Sequence, residues 1–181
     1  MLTRRLVARE QENIDRAICD NQGNTAVHLA CQRDDEKLLK LLLTAGKGVG
    51  ERELIVRNGL GWAAVHTCSF YGRESGVRLL LQWRSPPDLR TADGWTALHL
   101  ACSEGQLGCV RTLLASGAQL DSQHPSGESA LGIAAARGRH LIISELLRAG
   151  ASPSAPSDEY ATAPRTLPKG PSAHALYDDV A

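Results

Sequence analysis

The chain has no long hydrophobic run. Its longest apolar stretches are short pieces such as those from Leu79 to Leu81 and from Leu131 to Ala136, whereas a membrane-spanning helix needs about 20 apolar residues in succession. After Arg4 and Arg5 the apolar patch is too brief for the h-region of a secretory signal, so the expected location is the cytoplasm or the nucleus. No charge of either sign is in excess: 20 basic side chains face 20 acidic ones, with no basic block of five or more. The electrostatic footprint of a nucleic-acid binder is missing, which leaves a protein as the expected partner, with no nucleic acid and no membrane. The five cysteines are odd in number and form no CxxC pair, a usage that fits reduced thiols in a reducing compartment. No Gly-rich phosphate loop, paired catalytic carboxylates or Ser/His/Asp arrangement stands out. No catalytic residue, cofactor or metal is therefore expected.

What the chain does have is self-similarity. Gly23-Asn24-Thr25-Ala26-Val27-His28, Gly61-Trp62-Ala63-Ala64-Val65-His66, Gly94-Trp95-Thr96-Ala97-Leu98-His99 and Gly127-Glu128-Ser129-Ala130-Leu131-Gly132 align, with their glycines 38, 33 and 33 residues apart. Each is followed by an apolar second half: Leu38-Leu39 with Leu42-Leu43, Val77 with Leu80-Leu81, Val110 with Leu113-Leu114, and Ile143 with Leu146-Leu147. A unit of this length, repeated in register, is the mark of a solenoid in which neighbours bury one another's apolar faces.

The repeat resembles the ankyrin family, whose units of about 33 residues carry a Thr-Pro-Leu-His-x-Ala signature. The resemblance covers residues 13–152 and implies an all-α repeat solenoid of four helix-turn-helix units with β-turn fingers. Residues 1–12, with Leu2, Leu6 and Val7 at helical spacing, are expected to be a capping helix or partial repeat. Residues 153–181, which hold five of the eight prolines and no periodic apolar residues, are expected to form a disordered tail. Thr25, Thr96 and Ser129 suit the N-cap of the first helices, and Gly46, Gly117 and Gly150 stand where a left-handed residue would end the second. Unit two departs from this pattern at Ala63 and Arg84, so less regular edges are expected there. Unit four has Gly132 in place of histidine and is expected to be the least stable. The spacing of 38 enlarges the finger between units one and two, around Lys47 to Val56.

His28, His66 and His99 each precede a cysteine, Cys31, Cys68 and Cys102, by two or three positions. A metal site needs converging ligands, whereas a repeat spaces its residues along the stack, so Thr25, His28, His66, Thr96 and His99 are read as structural. The resemblance implies that the histidines hydrogen-bond between neighbouring turns. Cys109 replaces an apolar core residue. The functional signal is aromatic. Trp62 and Trp95 occupy the variable position after the turn glycine, where units one and four have Asn24 and Glu128. Phe70 and Tyr71 end the first helix of unit two, where other units have Gln32-Arg33, Ser103-Glu104 and Ala136-Arg137. Large amphipathic side chains carry much of the energy of interfaces, so Trp62, Trp95, Phe70, Tyr71, Asn24, Arg33 and Glu104 are the candidate partner contacts. The competing reading is that the aromatics pack against one another or seal the enlarged finger. Trp83 is expected at a packed edge, and Tyr160 and Tyr177 are weak candidates for recognition or phosphorylation.

Within the ankyrin family, the run from Cys19 to Cys31, the long finger before Asn58-Gly59-Leu60-Gly61, and the two units of 33 that follow are similar to the inhibitor-of-NF-κB, or Cactus-like, group. That resemblance implies a monomer that covers a Rel-homology transcription factor dimer. The Asp-Ser-Gly-x-x-Ser degron and the dense acidic tail of that group are missing from this sequence, which implies a constitutive inhibitor. A general ankyrin adaptor for a cytosolic signalling complex is the alternative.

Overall fold

The computed structural model describes residues 19–45 and 54–152. The expected capping segment at 1–12, the enlarged part of the first finger with Gly46, and the tail with Tyr160 and Tyr177 lie outside them. Among the described residues the chain forms four helix pairs: α1 (Ala26–Arg33) and α2 (Glu36–Ala45), α3 (Ala64–Phe70) and α4 (Glu74–Gln82), α5 (Ala97–Glu104) and α6 (Leu107–Ala115), and α7 (Ala130–Ala136) and α8 (His140–Arg148). First helices pack on first helices and second helices on second helices, making two parallel layers. The chain folds as the helical repeat solenoid that the spacing implies.

Each unit begins with the same turn. Asp20, Asn58, Thr91 and His124 donate their backbone N–H to the carbonyls of Asn24, Trp62, Trp95 and Glu128, at 2.8 to 3.0 Å. The turn is closed at its far corner by a glycine with positive φ, as at Gly94 (φ 90°). That glycine has a second function: a Cβ there would lie 2.5 Å from Pro125 of the next finger, so only a bare Cα lets the fingers stack. Asp20, Asn58 and Thr91 also turn their side-chain oxygens back to accept the N–H of Asn24, Trp62 and Trp95. The fingers are joined directly, with Gly59 N–H donating to Gln22 O at 2.8 Å and Asn58 Nδ2 to Asn24 Oδ1 at 2.8 Å. Further along, Arg90 Nη1 donates to Gln123 O at 2.9 Å.

The core runs between the two helical layers through Leu39, Leu80, Leu98, Leu100, Leu113, Ile133, Ile142 and Leu146, each 2% exposed or less. Burying a leucine completely contributes roughly 2 kcal/mol, and the contribution depends on both neighbouring units being in place. Leu54, 1% exposed, closes the core where the long finger re-enters unit two.

The second helices of units two to four end alike. Arg84, Gly117 and Gly150 donate N–H to the carbonyls of Leu81, Leu114 and Leu147, and Ser85, Ala118 and Ala151 to those of Leu80, Leu113 and Leu146. This double closure requires a left-handed residue at its corner. Gly117 and Gly150 supply it without cost, and Arg84 adopts the same conformation at φ 67°. The irregular edge expected of unit two is thus confined to one strained backbone angle. At its other edge Ala63 has no hydroxyl, and its N–H is satisfied by His66 Nδ1 at 3.1 Å.

Candidate protein-binding face

Two polar ladders hold the units in register, and they run in opposite directions. The first is made by the histidines. Each receives on Nδ1 the backbone N–H of its own N-cap residue: Thr25 to His28 at 3.3 Å, Ala63 to His66 at 3.1 Å and Thr96 to His99 at 3.2 Å. Each Nε2 then donates forward to a carbonyl of the next finger, that of Trp62 at 2.9 Å, Leu89 at 2.8 Å and Ser122 at 2.8 Å. These partners require the neutral tautomer with the proton on Nε2. Burial opposes the charged form, lowering His28 and pushing His66 and His99 down to about 4. The hydroxyl of Thr25 is turned to the His28 ring at 2.8 Å, while Thr96 and Ser129 accept an amide of the first turn as expected of an N-cap. At the histidine position of unit four stands Gly132, which is exposed, and among the described residues no further finger lies beyond it.

The second ladder was not read from the sequence. Arg73, Gln106 and Arg139, each following the glycine between the two helices, donate backward to the end of the preceding first helix. Arg73 Nη2 reaches Gln32 O at 3.1 Å, Gln106 Nε2 reaches Phe70 O at 3.4 Å, and Arg139 Nη2 and Nε reach Ser103 O at 3.1 and 3.3 Å. Those carbonyls belong to the unsatisfied last turn of a helix. The available signal was a long donor-bearing side chain recurring after Gly72, Gly105 and Gly138. Unit one has Asp35 there, and its carboxylate instead caps its own helix by accepting Leu38 N–H at 2.9 Å.

The cysteines do not join the histidines. Cys31, Cys68, Cys102 and Cys109 are buried, and burial pushes the thiols of Cys102 and Cys109 up to about 12 and that of Cys68 well above its ordinary value. Among the described residues no group of three or more His, Cys, Asp or Glu side chains could hold a metal ion. The shallow cleft between units one and two, lined by Ala30, Asp34, Leu39 and Arg73, has about 150 Å³ of free space, part of it open solvent, well below the several hundred that a small-molecule site occupies.

The candidate contacts divide into two groups. Trp62, Trp95 and Asn24 are buried at 3%, 2% and 7% exposure, which corrects the expectation of two large indoles standing free on adjacent units. Trp62 packs on Phe70 with ring centroids 5.1 Å apart, and Trp95 lies under His124 of the following finger at 4.4 Å. The corner at Trp95 is roofed by the next repeat, and that at Trp62 by Phe70 of its own unit, so a large side chain there is taken up in packing. Asn24 is consumed in the finger network, donating to Asp20 Oδ2 and accepting from Asn58.

The other group reaches the surface. Arg33 is exposed, and Phe70, Tyr71 and Glu104 are half-buried. Arg33, Tyr71, Glu104 and the exposed Arg137 occupy one position in successive units, giving a strip that reads cation, aromatic, anion, cation along the stack. Phe70 meets Tyr71 edge-on at 5.2 Å, and the Tyr71 hydroxyl accepts from Gln32 Nε2 at 3.3 Å. Phe70 is therefore held from beneath by Trp62 and Tyr71 from the side by Gln32 of unit one. Trp83, expected at a packed edge, is 40% exposed at the end of α4, away from this strip in sequence and element.

A two-layer solenoid with stacked fingers defines the class of the chain as a helical repeat protein. The family model described as ankyrin repeats, three copies, matches residues 2–88 and again 82–157. The chain belongs to the ankyrin-repeat family, and on that ground it is a protein-interaction module. Comparison with curated proteins gave no match. Among the described residues no helix is long and apolar enough to cross a membrane.

Proposed function

We propose that the chain is a stoichiometric binder whose partner lies across the C-terminal ends of the first helices, and that this partner is a Rel-homology transcription factor dimer. The observation that carries the location is the strip of Arg33, Tyr71, Glu104 and Arg137 with Phe70 at its centre. Its aromatic rings are partly exposed yet already held by Trp62 and Gln32, so little rotamer freedom is lost when a partner covers them. The alternating charges give such a partner its register, because a mismatched neighbour would meet like charge. Trp62 supports this surface from below through its contact with Phe70.

The choice of a Rel dimer rests on the run from Cys19 to Cys31 and on the long spacing followed by two of 33, which resemble the inhibitor-of-NF-κB group. In this reading the complex holds the factor away from DNA, in the cytoplasm or the nucleus, with the chain itself a monomer. A general adaptor with a different protein on the same strip is the second reading.

The test is a pull-down of a purified Rel-homology dimer by the full chain at micromolar concentration, with Tyr71→Ala and Glu104→Arg variants whose helix content is checked by circular dichroism. Retention by the natural chain and a loss of roughly tenfold or more in either folded variant is the expected result. Absence of retention by the natural chain would eliminate the Rel dimer and leave the adaptor reading. Retention that neither substitution weakens would move the interface off the strip.

A further inference from the structure

The two helical layers treat their charges differently. On the second helices they are matched to one another, Lys40 with Glu36, Arg78 with Glu74, and Arg111 and Arg148 both with Glu145. On the strip at the ends of the first helices, Arg33, Glu104 and Arg137 belong to no ion pair among the described residues. Arg33 and Arg137 are exposed, and the Glu104 carboxylate accepts one hydrogen bond, from Ser103 Oγ at 3.1 Å. Asp34, next to Arg33, is already turned to Arg73 at 3.7 Å. In unit two the same position holds Tyr71, whose ring meets that of Phe70 at 84°. The strip therefore offers a cation, a right-angled pair of rings, an anion and a cation, with its charges still to be met.

Spacing selects the kind of chain that can meet them. Packed helices lie about 8 to 10 Å apart, so equivalent side chains in successive units recur at about that interval. A β-strand returns a side chain to the same face every two residues, after about 6.7 Å, and falls short. An α-helix gains about 5.4 Å per turn, landing between units after one turn and past the next unit after two. A polyproline II segment has three residues per turn at about 3.1 Å each, so it turns every third side chain to one side at intervals of about 9.3 Å. Over the three steps from Arg33 to Arg137 it advances nine residues, about 28 Å, against about 24 to 30 Å for the stack. Its backbone is ordered before binding, and its proline rings suit an aromatic pair such as Phe70 and Tyr71. We infer that the strip takes an extended, proline-rich segment of its partner in the polyproline II conformation, with an acidic residue on Arg33, a proline on Phe70 and Tyr71, a basic residue on Glu104 and a second acidic residue on Arg137. This rests on the reading of the strip as the binding face, whichever protein carries the segment.

The test is a fluorescence-anisotropy titration of the full chain against a labelled ten-residue proline peptide with glutamate first and last and lysine at the seventh position. A second peptide carries the lysine at the fourth position instead, since the segment can run along the stack in either direction. Saturable binding of at least one is expected, weakened roughly tenfold by Tyr71→Ala and by Glu104→Lys in chains of unchanged helix content. Replacing the peptide's lysine by glutamate is expected to cost the natural chain a similar factor and to restore binding in Glu104→Lys. Moving the lysine by one residue turns it away from Glu104 and should weaken binding as much as removing it. No saturable binding of either peptide up to about 1 mM, or binding indifferent to the charge exchange and to the place of the lysine, would overturn the inference. If a partner is then still retained through Tyr71 and Glu104 in the pull-down, the strip stands as the binding face and the polyproline II segment alone is refuted. If neither peptide nor partner depends on those residues, the strip itself falls.

Discussion

Acid should loosen the stack well before it protonates the carboxylates, and the histidine ladder sets how much. His66 and His99 are held neutral by burial, which outweighs the carbonyls of Leu89 and Ser122 that favour the charged ring, and they titrate near 4, against about 6.5 in an unfolded chain. A native value below the unfolded one means that the unfolded state binds the proton first. The stabilisation is therefore complete above pH 6.5 and is lost as pH falls toward 4. Linkage with these values gives about 2 kcal/mol lost per ring at pH 5 and about 3 kcal/mol at pH 4. Two rings together remove roughly 4 kcal/mol by pH 5, a large part of the 5 to 15 kcal/mol typical of a domain. His28, shifted in the same direction by burial, adds to the effect.

Carboxylates act in a lower window. Burial pushes the Asp20 carboxyl up, but the hydrogen bonds it accepts from Asn24 and Gln22 outweigh that and hold it below its ordinary value, so its contribution is lost only beneath about pH 4. Urea unfolding followed by circular dichroism at pH 7, 6 and 5 measures the histidine term. Ring proton resonances of His66 and His99, assigned with single variants, report the titration in the folded chain. A midpoint that does not move between pH 7 and pH 5, or rings that titrate near 6.5 while the chain is folded, would refute the account.

Two further outcomes follow from the repeat geometry. Arg84→Gly relieves a left-handed backbone angle at an exposed site while keeping the closure on Leu80 and Leu81, and it should raise stability by about 1 kcal/mol, seen as a higher melting temperature; an unchanged or lower value would mean that the Arg84 side chain contributes more than its strain costs. Arg139→Ala removes the donors that satisfy Ser103 O, and a lost charge-assisted bond of this kind is worth about 1.5 to 3 kcal/mol. The loss should appear as faster hydrogen exchange in α7 and α8 with little change in α3 and α4, and uniform acceleration across all four units would contradict the nearest-neighbour picture.

Much of the architecture was legible in the sequence because each feature depends on neighbours close in the chain. The turn glycines need positive φ whatever lies around them, Gly117 and Gly150 end their helices by local hydrogen bonds, and the apolar pairs of the second helices fall on one face by helical periodicity alone. The histidines were legible as repeat residues for the same reason. Their direction was not, because the carbonyl that each one meets lies 23 or 34 residues away.

The composition and the 33-residue spacing by themselves determined the class of fold, the number of units and the exclusion of a membrane-spanning helix among the described residues. Only the tertiary structure decided which side chains were left for a partner. Trp62 and Trp95 are as conspicuous in the sequence as Phe70 and Tyr71, but the indoles are buried, Trp62 against Phe70 and Trp95 under His124 of the next repeat, whereas the rings at the end of a first helix stay half-exposed. The backward ladder of Arg73, Gln106 and Arg139 was hidden for a related reason. An exposed arginine and one that satisfies a neighbour's carbonyl are the same letter, and only the distance between repeats separates them.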